Sequence, residues 1–261
     1  HTAAGTKPEI TFLGIGMGAP ETMTLEGFCA CREADCIIGA KRMLEAVQNS
    51  LTHWSVRKKS QGEQTENDGN AAACRETESC ACDGKQMVSM YLSTQIADYI
   101  REHPEYRHIV IALSGDVGFY SGAKKLKEAL ADYPLRFISG ISSGVYFASK
   151  LQTSWDDMQL TSMHGRSLNL LDALRKSGKV FTLASDAKSI RELAAFLLSY
   201  GLTDLTMSVG TNLSYPEESI TTGVPSDFAA YSVEGVSVVL LQQKNHTEPV
   251  VTHGLPDAAF I

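Results

Sequence analysis

Three glycine-bearing turns hold the residues most suited to chemistry in this chain: Gly14-Ile15-Gly16-Met17-Gly18, Ser114-Gly115-Asp116-Val117-Gly118 and Ser139-Gly140-Ile141-Ser142-Ser143. Without a Cβ, a glycine turn lets main-chain amides and carbonyls approach a ligand closely. Each turn follows an apolar, strand-favouring run: residues 10–15, 108–113 and 136–139. Parallel α/β sheets bind ligands beyond the carboxyl ends of their strands, so three such turns point to one site. A single such turn standing alone reads equally as plain structure. A dinucleotide is the first ligand to test. Its fingerprint needs G-x-G-x-x-G and an acid closing the second strand. Here the third glycine, Gly18, comes one residue early and Ala19-Pro20 follow. The second strand, Cys36-Ile37-Ile38, ends in Gly39-Ala40, and Asp35 stands at its start. A nicotinamide cofactor is therefore set aside.

The elements that must hold these turns alternate. Strands are expected at 10–15, 36–38, 52–56, 108–113 and 136–139, and helices at 24–34, 41–49, 89–102 and 121–131. Thr24 is placed to cap the first helix, with Leu25 and Phe28 on its inner face. A repeated β-α pattern implies a largely parallel sheet with helices on both faces. In the second half, apolar runs fall at 158–163, 180–185, 205–209 and 236–241, with helices over 143–151, 167–177 and 187–200. Val180 to Leu183 and Val236 to Leu241 read as central strands. The expected organisation is an α/β chain of two α/β domains, 1–140 and 141–245, with the ligand cleft between the halves. Residues 57–88 are polar, charged and rich in small side chains, without an apolar period. They read as a flexible insertion, or as a functional lid. The first seven residues, opening on His1, are set aside from fold reasoning.

Composition excludes several classes. A net charge of -7 disfavours a broad nucleic-acid footprint, which needs a basic face. No apolar run approaches the roughly 18 residues of a membrane span, and no signal-peptide pattern is present, so a cytoplasmic protein is expected. The six cysteines form two groups, Cys29, Cys31, Cys36 and Cys74, Cys80, Cys82, without C-x-x-C spacing. They read as reduced thiols rather than a metal or redox centre, and no metal is assigned.

Taken together, the motifs resemble those of the tetrapyrrole methylases, and within them the precorrin-6Y methyltransferase branch of cobalamin biosynthesis. The opening turn appears as Gly14 to Pro20, then Met23-Thr24-Leu25, then Ala34-Asp35 leading to Gly39-Ala40-Lys41-Arg42. The family's glycine-aspartate-proline loop appears as Ser114-Gly115-Asp116 with Val117 in place of proline, then Phe119-Tyr120. Ser139 to Ser143, Ser162-Met163-His164-Gly165-Arg166, Leu183 to Asp186 and Gly210 to Glu218 match in order and spacing. The likeness spans residues 9–243 apart from the insertion. The tail, His253 to Ile261, resembles the opening of a decarboxylating methyltransferase domain, which implies a longer natural protein fused to that domain, with residues 246–261 as the linker.

The resemblance implies methyl transfer from S-adenosyl-L-methionine to a ring carbon of a precorrin-6Y-like or cobalt-precorrin tetrapyrrole. Cofactor contacts would come from Gly14, Gly16, Met17, Gly18, Ser114, Gly115, Asp116, Val117, Tyr120, Ser142 and Ser143. In the second half they would come from Ala184, Ser185, Gly210 and Thr211. For Asp116 a second reading stands beside this one, a side chain that bonds its own turn. Substrate carboxylates would meet Lys41, Arg42 and Arg166, and for each of these a solvated charge or structural ion pair is the other reading. His164 is the candidate base for the proton lost after methylation. A homodimer is implied, and neither nucleic acid nor membrane is a partner. Rival readings are another corrin or uroporphyrinogen methyltransferase of the same fold, or a non-catalytic tetrapyrrole-binding module. A ribosomal-RNA methyltransferase fits poorly with the acidic balance.

Overall fold

The computed structural model describes residues 7–60, 85–162 and 167–244 of the 261. The chain divides into two compact units, His1–Tyr146 and Phe147–Ile261.

The first unit is built on a five-stranded sheet in the order β3-β2-β4-β1-β5, every pair parallel. Its strands are β1 (Glu9–Gly14), β2 (Cys36–Gly39), β3 (Gln86–Ser89), β4 (His108–Leu113) and β5 (Leu135–Ile138). Helices α1 (Leu25–Glu33) and α2 (Lys41–Ser60) cover one face, where Phe28, Cys31, Val47 and Leu51 pack on Leu13, Ile37 and Val110. Helices α3 (Ser93–Glu102) and α4 (Ala123–Ala129) cover the other, where Ile96, Ile100 and Leu126 meet Ile10, Phe12 and Ile111. Burial on both faces explains why β1 and β4 are apolar at almost every position rather than at alternate ones. The chain steps from β1 to β3 along one face and returns through β4 to β5 along the other. The loops after β1 and β4 therefore leave neighbouring strands in opposite directions, which is the switch point where such sheets bind ligands.

Three expectations need correction here. No strand occupies 52–56, because α2 runs unbroken from Lys41 to Ser60. Its buried residues Met43, Val47 and Leu51 keep helical spacing, and Trp54 continues the stripe. The hydroxyls of the segment are absorbed by back-bonding: Ser50 to Ala46 O (2.8 Å), Thr52 to Gln48 O (2.9 Å) and Ser55 to Leu51 O (2.7 Å). The helix expected at 89–102 is shorter, because residues 86–89 form β3 beside β2 and α3 begins at Ser93. The Thr24 cap forms as expected, accepting Gly27 N–H at 3.1 Å, but Leu25 is 77% exposed. The helix seats on β1 at Gly27, where a Cβ would stand 2.7 Å from Leu13, so the inner stripe is Gly27, Phe28 and Cys31.

Asp35, at the start of β2, has a structural use. Its Oδ2 accepts N–H bonds from Arg107 (2.8 Å) and His108 (2.9 Å), tying the start of β4 to β2. Partial burial pushes its carboxyl up, but the two amides outweigh that and hold it below the usual carboxylate range.

The second unit carries a five-stranded sheet in the order β6-β7-β10-β8-β9. Its strands are β6 (Gln159–Ser162), β7 (Lys179–Ala184), β8 (Thr206–Thr211), β9 (Ser219–Gly223) and β10 (Ser237–Gln242). Only β6 and β7 pair in parallel, and β10 lies at the centre, antiparallel to both neighbours. The polar edge strand β9 was not among the expected elements. Helices α5 (Ser143–Lys150), α6 (Ser167–Ser177) and α7 (Ala187–Ser199) complete the described helices, none long and apolar enough to cross a membrane. Leu174, Ile190, Leu193 and Leu197 pack on Val180, Met207 and Val239.

Cys29, Cys31 and Cys36 are not in disulfides, while Cys74, Cys80 and Cys82 fall outside the described residues. Burial pushes the Cys31 thiol up to about 12 and the Cys36 thiol to about 11. Since the thiolate is the reactive form, Cys31 at pH 8 should alkylate on the order of a thousandfold more slowly in the folded chain than in the unfolded one. Peptide mapping after timed iodoacetamide labelling reads this directly, and equal rates in the two states would contradict it.

Candidate functional site

The turns after β1, β4 and β5 are fused by their missing side chains. A Cβ on Gly14 would stand 2.6 Å from Gly115 O and 2.8 Å from Gly140 N. A Cβ on Gly140 would overlap the carbonyl oxygens of both Gly115 and Gly14. Gly16 and Gly115, both with left-handed backbone (φ +73° and +67°), exchange two main-chain hydrogen bonds of 3.1 and 2.9 Å. That bridge closes the loop after β1 onto the loop after β4.

Polar side chains brace the turns from behind. Thr22 Oγ1 accepts Met17 N–H at 3.0 Å and donates to Ala19 O at 2.7 Å. Trp54 on α2 donates from Nε1 to Pro20 O at 3.1 Å, and His53 Nε2 lies 3.4 Å from Glu21 Oε1. Asp116 links two turns: Oδ1 accepts Gly118 N–H at 2.8 Å, and Oδ2 accepts Gly140 N–H at 3.0 Å. Both of its oxygens thus serve the main chain. Val117, where the family pattern has proline, packs its side chain against the α3/α4 core. Ser142 is buried and its Oγ accepts Val145 N–H at 3.4 Å, opening α5 at Ser143. Tyr120 takes a left-handed backbone (φ 47°), is about half exposed and stands edge-on to Phe119.

Beside these turns, at the carboxyl ends of β2 and β4, lies a cavity of about 480 Å³. Ser114, one of the turn residues, forms part of its wall. Gly39, Arg42, Met90, Tyr91 and Lys125 also line it. Arg42 is therefore at the site. Lys41 is not in the lining; it is highly exposed and points to Glu45 at 4.0 Å across one helical turn. Lys125 was missed by sequence reading, since nothing distinguishes it from the other lysines of α4.

In the second unit, Ala184 ends β7 in a buried position, and the Ser185 and Ser189 hydroxyls lie 2.8 Å apart. Asp186 caps α7 through Ser189 N–H at 2.8 Å. Gly210 leaves room for Phe147, whose ring would lie 2.7 Å from an added Cβ. The buried Thr211 hydroxyl is shared with Tyr231 OH (2.8 Å) and Ser237 Oγ (2.7 Å), and its main chain lies in the ladder between β10 and β9. The following loop holds Asn212 and Ser214 at positive φ (52° and 73°), secured where Glu218 accepts Ser214 N–H at 2.7 Å and pairs with Lys150 at 2.8 Å. His164 and Arg166 lie outside the described residues.

Glycine turns fused at the switch point of a parallel sheet, followed in the chain by a mixed sheet, define an α/β protein whose turns stand where such sheets bind ligands. Residues 9–229 match the family model of the tetrapyrrole (corrin/porphyrin) methylases, and the chain belongs to that family; it is a methyltransferase. A probable cobalt-precorrin-7 C(5)-methyltransferase of Methanocaldococcus jannaschii is 29% identical over 218 residues, covering 81% of this chain and 87% of the relative. A decarboxylating precorrin-6Y C(5,15)-methyltransferase of a Sinorhizobium species is 30% identical over 135 residues, covering 51% of this chain. That match takes in 33% of the Sinorhizobium protein's length. The crystal structure of a precorrin-6Y methylase from Archaeoglobus fulgidus shares the fold, with a TM-score of 0.61 at 15% identity, covering 91% of this chain and 98% of that one.

Proposed function

We propose that this chain transfers a methyl group from S-adenosyl-L-methionine to carbon 5 of a precorrin-type tetrapyrrole in cobalamin biosynthesis. The observation that carries the reading is the fused, Cβ-free meeting of Gly14, Gly115 and Gly140 beside a cavity lined by Arg42. Position 5 is favoured because it is common to the names of the two relatives. One is matched over 87% of its length and is named for that position alone, while the other, named for two positions, is matched over 33%. The same Sinorhizobium name supports a decarboxylating methyltransferase as a partner or fused domain. A homodimer and a cytoplasmic location are proposed on the family resemblance.

The cofactor, when bound, supplies an electrophilic sulfonium methyl, and the electron pair of the new bond comes from the substrate carbon. The residues present fit such a group. The turns after β1, β4 and β5 pack main chain on main chain and form a rigid rim to the adjoining cavity, where Ser114 and the carboxyl ends of β2 and β4 leave space for a nucleoside sulfonium. Asp116, Thr22 and Trp54 hold those turns fixed, and fixed geometry is what an in-line transfer needs. Arg42 neutralises a substrate carboxylate at the cavity. In this proposal Ala184, Ser185, Gly210 and Thr211 also serve the cofactor. Arg166 binds a second substrate carboxylate, and His164 takes the proton released at the methylated carbon.

Calorimetric titration tests the reading. S-adenosylmethionine and S-adenosylhomocysteine should bind at micromolar concentration and NADH should not. Turnover of a precorrin substrate with a labelled methyl donor should then place the label on carbon 5 by NMR. No binding of either sulfur compound, or label on another carbon only, would overturn it.

A further inference from the structure

Sequence reading assigned no role to α4, and the cavity gives it one. The lining carries two formal charges, Arg42 from the first turn of α2 and Lys125 from α4, both positive, and no Asp or Glu. This is a biased sample of a chain with 30 acids and 23 bases. Helices α2 and α4 lie on opposite faces of the sheet, so the two cations flank the strand ends from both sides. Neither side chain forms an ion pair or hydrogen bond among the described residues. Lys41, Lys150 and Lys179 face Glu45, Glu218 and Asp157, whereas Lys124 and Lys127 of α4 are unpaired among the described residues, so it is the place in the cavity wall that sets Lys125 apart. Between the two cations the wall is apolar, made by Met43, Met90, Leu92, Ile111 and Leu126, and Tyr91 stands 77% exposed at its edge.

An apolar wall between two unpaired cations suits a flat ring that carries carboxylate arms. The ring supplies area for Met90 and Tyr91, and the arms reach the charges. We infer that Lys125 is a specificity-determining residue that binds a substrate carboxylate in concert with Arg42, so that substrate is gripped from both faces of the sheet. The inference rests on the proposed methyltransferase reading and names the substrate contact within it. It places recognition on α4, at the wall of the cavity beside the glycine turns, and assigns Lys125 to substrate affinity and not to the cofactor.

The test uses the whole chain and two ligands. Uroporphyrin, a stable tetrapyrrole with eight carboxylates, is titrated by fluorescence quenching, and S-adenosylhomocysteine by calorimetry. Lys125→Gln should weaken uroporphyrin about tenfold and flatten its salt dependence, because one charge contact is gone. Lys125→Arg should restore most of the affinity, and Lys124→Gln, one residue away and absent from the lining, should leave it unchanged. S-adenosylhomocysteine should bind all variants equally, and turnover should show a raised KM with kcat kept for Lys125→Gln. Uroporphyrin affinity equal in Lys125→Gln and the parent chain, or no uroporphyrin binding to the parent, overturns the inference. A parent chain that binds uroporphyrin in a Lys125-dependent way but no S-adenosylhomocysteine overturns the methyltransferase reading and leaves the carboxylate grip standing.

Discussion

Gly140→Ala is expected to cost about 3 kcal/mol of stability or more and to abolish S-adenosylhomocysteine binding. The added methyl would overlap two main-chain oxygens, those of Gly14 and Gly115. Neither can rotate away as a side chain would. Moving Gly14 shifts the end of β1, and moving Gly115 breaks its paired hydrogen bonds with Gly16. The clash therefore spreads through all three turns at once. Two companion variants separate crowding from backbone strain. Gly115→Ala meets nothing nearer than 3.6 Å, and its cost is the left-handed φ of +67°, about 1–2 kcal/mol. Gly122, at φ -71° before α4, would place an added methyl with nothing within 4 Å of it, and its change to Ala should fall within about 0.5 kcal/mol of neutral. Denaturant unfolding of the three variants, each also titrated with S-adenosylhomocysteine, checks the order. A Gly140→Ala chain as stable as Gly122→Ala would show that the turns are not fused as described.

Gly14 and Gly115 were legible in the sequence because they close unusually apolar strands, and β1 and β4 are apolar because both faces of the first sheet are covered. That signal failed where side chains serve two states. Thr52, Trp54 and Val56 favour strand by type, yet in α2 the Thr52 hydroxyl bonds back one turn and Trp54 continues the helical stripe, and the expected strand at 52–56 vanishes into a helix. Edge strands β3 and β9 were invisible because β3 is four residues with only Met87 and Val88 apolar and β9 is mostly Ser, Thr and Gly, whereas the edge strand β5 carries Leu135, Phe137 and Ile138. Lys41 and Arg42 were indistinguishable as adjacent cations. Their places one step apart on α2 separate them, with Arg42 facing the cavity and Lys41 facing Glu45. Lys125 needed the topology itself, since only the strand order brings α4 to the same cavity as α2. For Asp116 the sequence left two readings, and the geometry favours the turn-bonding one, because both oxygens are taken by main-chain amides.

That geometry makes the charge-removing variant of Asp116 more damaging than its size suggests. Asp116→Asn keeps the shape of the side chain but offers one acceptor oxygen where the turns need two. If the amide oxygen serves Gly118, the new NH2 group faces the N–H of Gly140, donor against donor. If it serves Gly140, the clash moves to Gly118. Asparagine should therefore keep the part-buried Gly140 amide and release the exposed Gly118 amide to water, costing about 1 kcal/mol against about 1–3 kcal/mol for alanine, which loses both bonds. Asp116→Glu should not rescue, because an extra methylene cannot hold both amides 2.8 and 3.0 Å from the carboxylate. With the turns loosened, affinity for S-adenosylhomocysteine should fall about tenfold in step with the lost stability. Denaturation and calorimetry on the same samples tell the two roles of Asp116 apart. Lost stability and lost affinity together identify a residue that positions the turns. Lost affinity with an unchanged unfolding midpoint would instead mean that the carboxylate touches the cofactor itself, and that the bonds to Gly118 and Gly140 give way when it binds.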